Sequence, residues 1–460
     1  MLGTGLSHQV TPTDGDGEAK LRKVEILGST DVSQSAVRVC AAFLATALLL
    51  SWPSRCAAYA VLSHEEIIDA AWETNLKPVL LKRFPDADAD ELREAHGYAY
   101  GGAIIQDLGY YPHGSFFFSD LAHYIRTGDF ILALLRDSKD LNEYAFALGA
   151  LAHYAADIEG HRLAVNRAVP ILYPRLRKKF GDVVTFEDDQ LAHVKTEFGF
   201  DVLEVAKGRY APDSYHDFIG FDVAEALLNE AFRETYGLDL KIVLQNEEKA
   251  MNSYRRDVSK LIPKATRIAW SLKKDDIQRD QPGITKRKFL YNLSRASYER
   301  EWGKDYQQPT PGDRFLAFLY KLLPKIGPLR VLQLRTPTPD TERMFEESFN
   351  ATLDRYRKLL EAVGENRWEL PNVNFDVGEV TAAGKYRLND DTHAKLLHKL
   401  AEQNFTDTPK EIRAELLEFY ADPQAPNATR RKRKTWSKVE AELQQLKAST
   451  PVRAVAQDTH

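Results

Sequence analysis

Five histidines and three carboxylates fall in one ordered run through the first half of this chain: His64, Asp107, His123, His153, Asp157, His161, His193 and Glu197. Two pairs, His153/Asp157 and His193/Glu197, are spaced four apart, which on a helix stacks both side chains on one face. Donors that converge in this way are what a metal ion requires. Imidazole nitrogen and carboxylate oxygen without thiolate suit zinc used in catalysis, where one position stays open, better than a closed structural site. Both cysteines, Cys40 and Cys56, precede the run.

Each of these residues also has an ordinary reading. A His/Asp pair at this spacing can simply brace a helix, Asp107 can be a turn residue, His123 a hydrogen-bonded core histidine, and His193/Glu197 a surface pair. The surroundings of His153 argue otherwise. The segment Leu148-Gly149-Ala150-Leu151-Ala152-His153-Tyr154-Ala155-Ala156-Asp157 is apolar or small on nearly every side, so its imidazole and carboxylate require strong partners once buried. His161 follows Gly160, four beyond Asp157, and puts a third potential ligand on the same stretch.

The elements that must position these groups read as helices almost throughout. Ser63 and Glu66 form a capping-box pattern ahead of the apolar period Ile67, Ile68, Ala71, Trp72 and Leu76, which puts His64 in a first turn. Asp90 is expected to open a helix toward Ile105, Ser119 or Asp120 one through Ile131, and Asp140 one running past His153. Asp107 falls in a loop after the first of these. Further periods cover Leu191 to Val205, Val223 to Phe232, Leu240 to Leu261 and Arg343 to Val363, while Trp368 to Tyr386 is the one place with a short extended signal. The expected class is therefore all-α.

The start of the chain reads as an address. Arg38 precedes an apolar run from Val39 to Trp52, followed by Pro53 and small residues around Cys56-Ala57-Ala58, as in a secretory signal. The run is short for a membrane span of about 20 residues. Export to a periplasmic or extracellular location is expected, with an N-terminal membrane anchor as the alternative. Cleavage after Ala58 would free Tyr59 as the terminus, its amine and carbonyl able to reach a metal, whereas cleavage after Ala60 would free Val61. The mature chain would then lack cysteine and any disulfide. The expected organisation is a signal over 1–58 with a long polar leading part, a metal-bearing domain over 59–305, and a mostly helical extension over 306–460 of unassigned role.

A net charge of −5 argues against a stable nucleic-acid partner, because neutralising a phosphate backbone needs a cationic surface. The basic run Arg430-Arg431-Lys432-Arg433-Lys434 could meet phosphate or anionic lipid, or be a solvated helix start.

The order of the ligands and the local words around them, from about Tyr59 to Gly208, resemble the zinc-dependent phospholipase C superfamily, which includes single-strand zinc nucleases and the glycosylphosphatidylinositol-specific phospholipase D. The resemblance implies an all-α bundle with up to three zinc ions in one cleft. It implies Asp107, His123, His153 and Asp157 on the first ion, and His161, His193 and Glu197 on the second. His64, a bridging Asp157 and the freed terminus at Tyr59 would hold a third. The four-residue step from Asp157 to His161 is shorter than in the secreted phospholipases and nucleases and resembles the anchor-cleaving branch. A tryptophan terminus in the secreted enzymes corresponds here to Tyr59.

The implied reaction is hydrolysis of a phosphodiester, whose anionic phosphoryl oxygens repel a nucleophile until cations neutralise them. Asp107 is the expected catalytic carboxylate. Tyr110, Tyr111 and Phe116, in the aromatic stretch that also holds Phe117 and Phe118, are the candidate substrate contacts for a lipid chain, a choline-like group or a base. Arg126, Arg162 and Arg167 are possible phosphate contacts, and His96 and His113 are expected to be structural or exposed. A phospholipase C acting on phospholipid, with transient contact to a membrane surface, is the first reading. A single-strand nuclease is the second, and a non-catalytic, zinc-stabilised surface-interaction protein comes from another class.

Overall fold

The computed structural model describes residues 60–206, 221–258, five positions between 262 and 272, 333–406 and 408–449, all within the unit Leu49–His460. The signal segment, Tyr59 and the boundary near 305 lie outside the described residues.

Helix α1 (Val61–Ala71) runs into a π turn (Trp72–Leu76) and α2 (Lys77–Arg83). Ser63 does not cap it. The first turn is held instead from far along the chain, where Asp201 accepts the Leu62 N–H at 2.9 Å and the Ser63 hydroxyl at 2.6 Å. Helix α3 (Ala89–Ile104) starts at Asp88 rather than Asp90, because Asp88 and Glu91 complete a capping box. A 3-10 turn (Ile105–Tyr110) then carries Asp107.

The expected single helix through Ile131 is two. Helix α4 (Phe116–Tyr124) follows Ser115, and the left-handed backbone of Arg126 (φ 49°) breaks the path before α5 (Thr127–Asp137). No residue at the start of α5 caps it locally; the amide oxygen of Asn372 accepts from Gly128 and Asp129 N–H at 2.9 and 3.0 Å. The expectation failed because that cap is supplied from more than 240 residues away.

Helix α6 (Leu141–Glu159) is capped by Asp140 as anticipated and is buried at every position from Tyr144 to Glu159. A helix apolar all round belongs at the centre, and α3 and α6 form the principal packed pair. Their approach depends on glycine: a methyl at Gly149 would collide with the Ala99 carbonyl, and one at Gly102 with that of Phe146. The π turn Gly160–Val165 continues α6 into α7 (Asn166–Leu172), followed by α8 (Pro174–Phe180) and α9 (Gln190–Ala206).

Beyond this lie α10 (Glu225–Tyr236), α11 (Leu240–Val243) and α12 (Glu247–Arg256), the last two separated where Asn246 caps α12. The 26-residue α13 (Pro339–Gly364), capped by Thr338, packs along α6 and the π turn Gly160–Val165. A two-residue antiparallel pair, β1 (Val373–Asn374) and β2 (Glu379–Val380), follows in the stretch that carried the extended signal. Helices α14 (Arg387–Glu402), α15 (Lys410–Phe419) and α16 (Arg433–Ala448) close the described chain. The basic run straddles the start of α16, where the Arg430 guanidinium lies 4.3 Å over the Trp436 ring and Lys432 pairs with Asp391 at 3.0 Å. No helix among the described residues is long and apolar enough to cross a membrane.

Replacing Gly149 with alanine is expected to cost at least about 1–3 kcal/mol by overpacking, read as a lower urea midpoint at unchanged slope. An unchanged midpoint would mean that α3 and α6 do not pack this closely.

Candidate metal centre

The eight ordered residues arrive from six elements, and each is almost fully buried, at 0 or 1% exposure. His64 comes from the first turn of α1, Asp107 from the 3-10 turn after α3, and His123 from the end of α4. His153 and Asp157 come from α6, His161 from the π turn, and His193 and Glu197 from α9. Tyr59, the remaining candidate ligand, is outside the described residues.

Three groups converge closely enough to hold an ion: His64 with His153 and Asp157, Asp107 with His123 and His153, and His161 with His193 and Glu197. Asp157 stands between the first two. Its Oδ1 lies 3.5 Å from His64 Nε2, and its Oδ2 lies 3.2 Å from His123 Nε2 and 3.3 Å from His153 Nε2. Asp107 Oδ1 is 3.4 Å from His123 Nε2. In the third group Glu197 Oε1 is 3.0 Å from His193 Nε2 and 3.8 Å from His161 Nε2.

The π turn explains why His161 leaves the Asp157 groups although it sits four residues on. A π turn widens the helix locally, so His161 is directed to α9 and joins His193 instead. This register change was not legible in the spacing.

The histidine tautomers follow from their outer partners. His123 Nδ1 lies 2.7 Å from the Ser119 carbonyl, His153 Nδ1 2.9 Å from that of Ala103, and His161 Nδ1 3.1 Å from that of Phe375. A carbonyl only accepts, so each Nδ1 carries a proton and each ring turns its Nε2 into the cluster. There, His123 Nε2 and His153 Nε2 face one another at 3.5 Å.

Lone pairs directed at lone pairs and carboxylates repel unless a cation sits between them. Both oxygens of Asp157 and of Glu197, and Nε2 of His161 and His193, have no hydrogen-bond partner although buried. Zinc with bonds of about 2.0–2.1 Å in a tetrahedron sets its ligand atoms about 3.3–3.4 Å apart. The separations in the Asp157 groups match that edge, so the donor set fits zinc.

Electrostatics favours the ligating state at three of the groups, His64, His193 and Asp157. It opposes that state at others: against the effect of burial, contacts with Asp107 and Asp157 raise His123 well above the ordinary histidine range, and burial pushes the Asp107 carboxyl up. Burial, helped by His153, holds His64 well below the ordinary histidine range, and burial with His161 does the same to His193. Both are thus neutral and able to ligate. Burial opposes ionisation of Asp157, but His153 and the contact from His123 outweigh it and hold its carboxyl well below the usual range. Glu197, without such help, is pushed well up by burial.

Tyr110 stands at the edge of the cluster, its ring 6.1 Å from that of His123 and 6.0 Å from Phe116. Tyr111 packs edge-on against Tyr254, away from the ligands, and Phe117 and Phe118 are core. Arg126 pairs with Asp129 and Arg162 with Glu159, while Arg167 is exposed. His96 stacks on Trp72 and sits 3.0 Å from Asp69, and His113 is exposed. Three supporting groups had no sequence signal of their own beyond Asp201 continuing the His193/Glu197 four-residue period: Asp201, which fixes the turn bearing His64, and Phe375 and Asp376 beside His161.

Residues 63–246 match the family model described as zinc dependent phospholipase C. No curated protein and no solved structure matches the chain. The matched span contains all eight candidate ligands, and the observed bundle is the all-α architecture expected of it; Phe375 and Asp376 lie beyond it.

Burial pushes the Asp201 carboxyl up to about 7 against the hydrogen bond from Ser63. The folded chain therefore keeps a proton that the unfolded chain releases near pH 4, and the stability this proton confers is lost as pH rises through about 7. Relative to Asp201→Asn, the wild type is expected to lose about 1.4 kcal/mol per pH unit between pH 4 and 7, then run parallel. Urea titrations at several pH values check this; parallel curves throughout would refute it.

Proposed function

We propose that this chain, built around a zinc dependent phospholipase C domain over residues 63–246, is an exported hydrolase that cleaves phospholipid head groups at the phosphodiester. The observation that carries the reading is the convergence of eight buried donor residues, among which Asp157, Glu197, His161 and His193 turn inward atoms without hydrogen bonds and those around Asp157 stand at zinc-edge separations.

Asp107, Asp157 and Glu197 are acidic groups at the centre of this cluster, and Asp376 stands beside it. Left alone they would repel an anionic phosphodiester. Zinc bound there supplies the positive charge that draws in phosphoryl oxygens and makes water a competent nucleophile near neutral pH. His64, His123, His153 and Asp157 would hold one side of the centre and His161, His193 and Glu197 the other. Asp157, with oxygens facing both the His64 and the His123 sides, fixes their separation.

The carboxylate of Asp107, beside His123, takes the proton from the attacking water. The Ser119 and Ala103 carbonyls keep His123 and His153 in one tautomer, so no imidazole turns during the reaction. The rings of Phe186 and Phe375 lie 5.5 Å from His193 and 5.3 Å from His123. They exclude bulk water and strengthen the electrostatics within. Tyr110 and the half-buried Phe116 offer an aromatic face for a cationic head group, which favours a choline lipid.

The purified mature protein is expected to contain at least two zinc ions per chain and to release phosphocholine from phosphatidylcholine vesicles. Chelator should abolish release and added zinc restore it. Asp107→Asn should lower turnover by about 10²–10⁴-fold with the helical circular dichroism kept. Cleavage of single-stranded DNA without phosphocholine release would move the assignment to a nuclease, and bound zinc with no diester turnover would make the site structural.

A further inference from the structure

His161 differs from the other ligand histidines in where its support comes from. His123 and His153 direct Nδ1 to carbonyls of residues 119 and 103, within the span that carries the ligands. The partner of His161 is the Phe375 carbonyl, 214 residues further along the chain. Asp376 Oδ1 lies 3.5 Å from the same nitrogen.

The Asp376 carboxylate is 3% exposed and held from several sides. Its Oδ2 accepts from the Tyr124 hydroxyl at 2.8 Å and from the Tyr386 hydroxyl at 2.5 Å. Its backbone N–H donates to the Asn374 side chain at 2.8 Å, and its carbonyl accepts from Asn166 Nδ2 at 2.7 Å. With Oδ2 engaged by two phenols, Oδ1 is the oxygen left to face His161. The stretch before it is anchored to the ligand-bearing helices. Phe375 N–H donates to the His123 carbonyl at 3.1 Å, and the Thr127 hydroxyl bonds Val373 in both directions.

A buried carboxylate costs free energy unless it serves a partner, and here two tyrosines, one at the end of α4 and one just ahead of α14, are spent on orienting it toward a ligand imidazole. An outer carboxylate or carbonyl on the far nitrogen fixes ring orientation and raises the basicity of the ligating one. We propose that residues 373–376, outside the family-matching span, complete the metal centre, with Asp376 the positioning residue for His161. Affinity for the ion held by His161, His193 and Glu197 then depends on docking of the C-terminal part of the chain. The proposal rests on the metal-centre reading, not on the identity of the substrate.

The test is titration of the zinc-stripped full chain with zinc by calorimetry, and with cobalt by visible absorption. Asp376→Asn is expected to weaken one ion by about 10–100-fold and to alter its cobalt spectrum, leaving the other ions unchanged. Tyr386→Phe should weaken the same ion by a smaller factor. Asp390→Asn is the control: Asp390 bonds the Gly384 and Ala428 N–H groups on the same part of the chain without touching a ligand, so it should lower stability and leave zinc affinity alone.

Binding within twofold of wild type in Asp376→Asn overturns the proposal, as does an equal loss at every ion that tracks a fall in metal-free stability. Should Asp376→Asn fail to fold, Tyr386→Phe decides by the same criteria. A wild-type chain that binds no zinc removes this proposal and the functional reading together. A chain that binds zinc, shows the selective loss and cleaves no phosphodiester refutes the functional reading alone.

Discussion

The repulsion among inward-facing donors at the centre of this bundle is the constraint around which the rest is arranged. Imidazole lone pairs and three carboxylates meet in a volume from which water is excluded, where uncompensated charge costs several kcal/mol per group. Such an arrangement persists only if cations neutralise it and if the surrounding chain is stiff enough to prevent its collapse into hydrogen-bonded pairs. The need for the first and the means of the second are visible. Asp157 and Glu197 remain unbonded beside potential donors, and the outer nitrogens of three histidines are tied to carbonyls that cannot follow them inward.

Stiffness comes from backbone more than from side chains. Gly102 and Gly149 let α3 and α6 approach until backbone meets backbone, so Asp107, which follows α3, and His153 and Asp157 on α6 have little room to drift. Two helices that start near the site, α1 and α5, have no local caps. Asp201 satisfies the first N–H groups of α1, and Asn372 those of α5. A cap contributes about 1 kcal/mol; supplied across the fold by Asp201, it also locks the helix bearing His193 and Glu197 to the turn bearing His64. The site is thereby built into the same bonds that terminate its helices.

The role of the C-terminal part changes in this light. Tyr356 on α13 donates to the Leu148 carbonyl of α6 at 2.9 Å, Tyr154 of α6 donates to the Pro371 carbonyl at 2.9 Å, and the 371–376 stretch lies against His123, Thr127 and His161. These are buried polar contacts, each expensive to break without replacement. The ligands themselves all lie within residues 63–246, but the groups that hold His161 do not.

The ordered histidines and acids, the four-residue periods and the apolar stretch around His153 determined an all-α fold with a buried ligand set, because helix periodicity and the cost of burying ionisable groups are local properties. Asp140 as a cap and the weak extended signal after Trp368 were legible for the same reason. The break at Arg126, the capping of α1 by Asp201, the π turn by which His161 reaches His193, a grouping the family resemblance already implied, and the service of Phe375 and Asp376 to that ring were decided only by tertiary structure. Each depends on a partner more than a hundred residues away or on a helical register change that leaves residue spacing unaltered, and hydrogen-bond partners chosen by proximity in space leave no periodic trace in the chain.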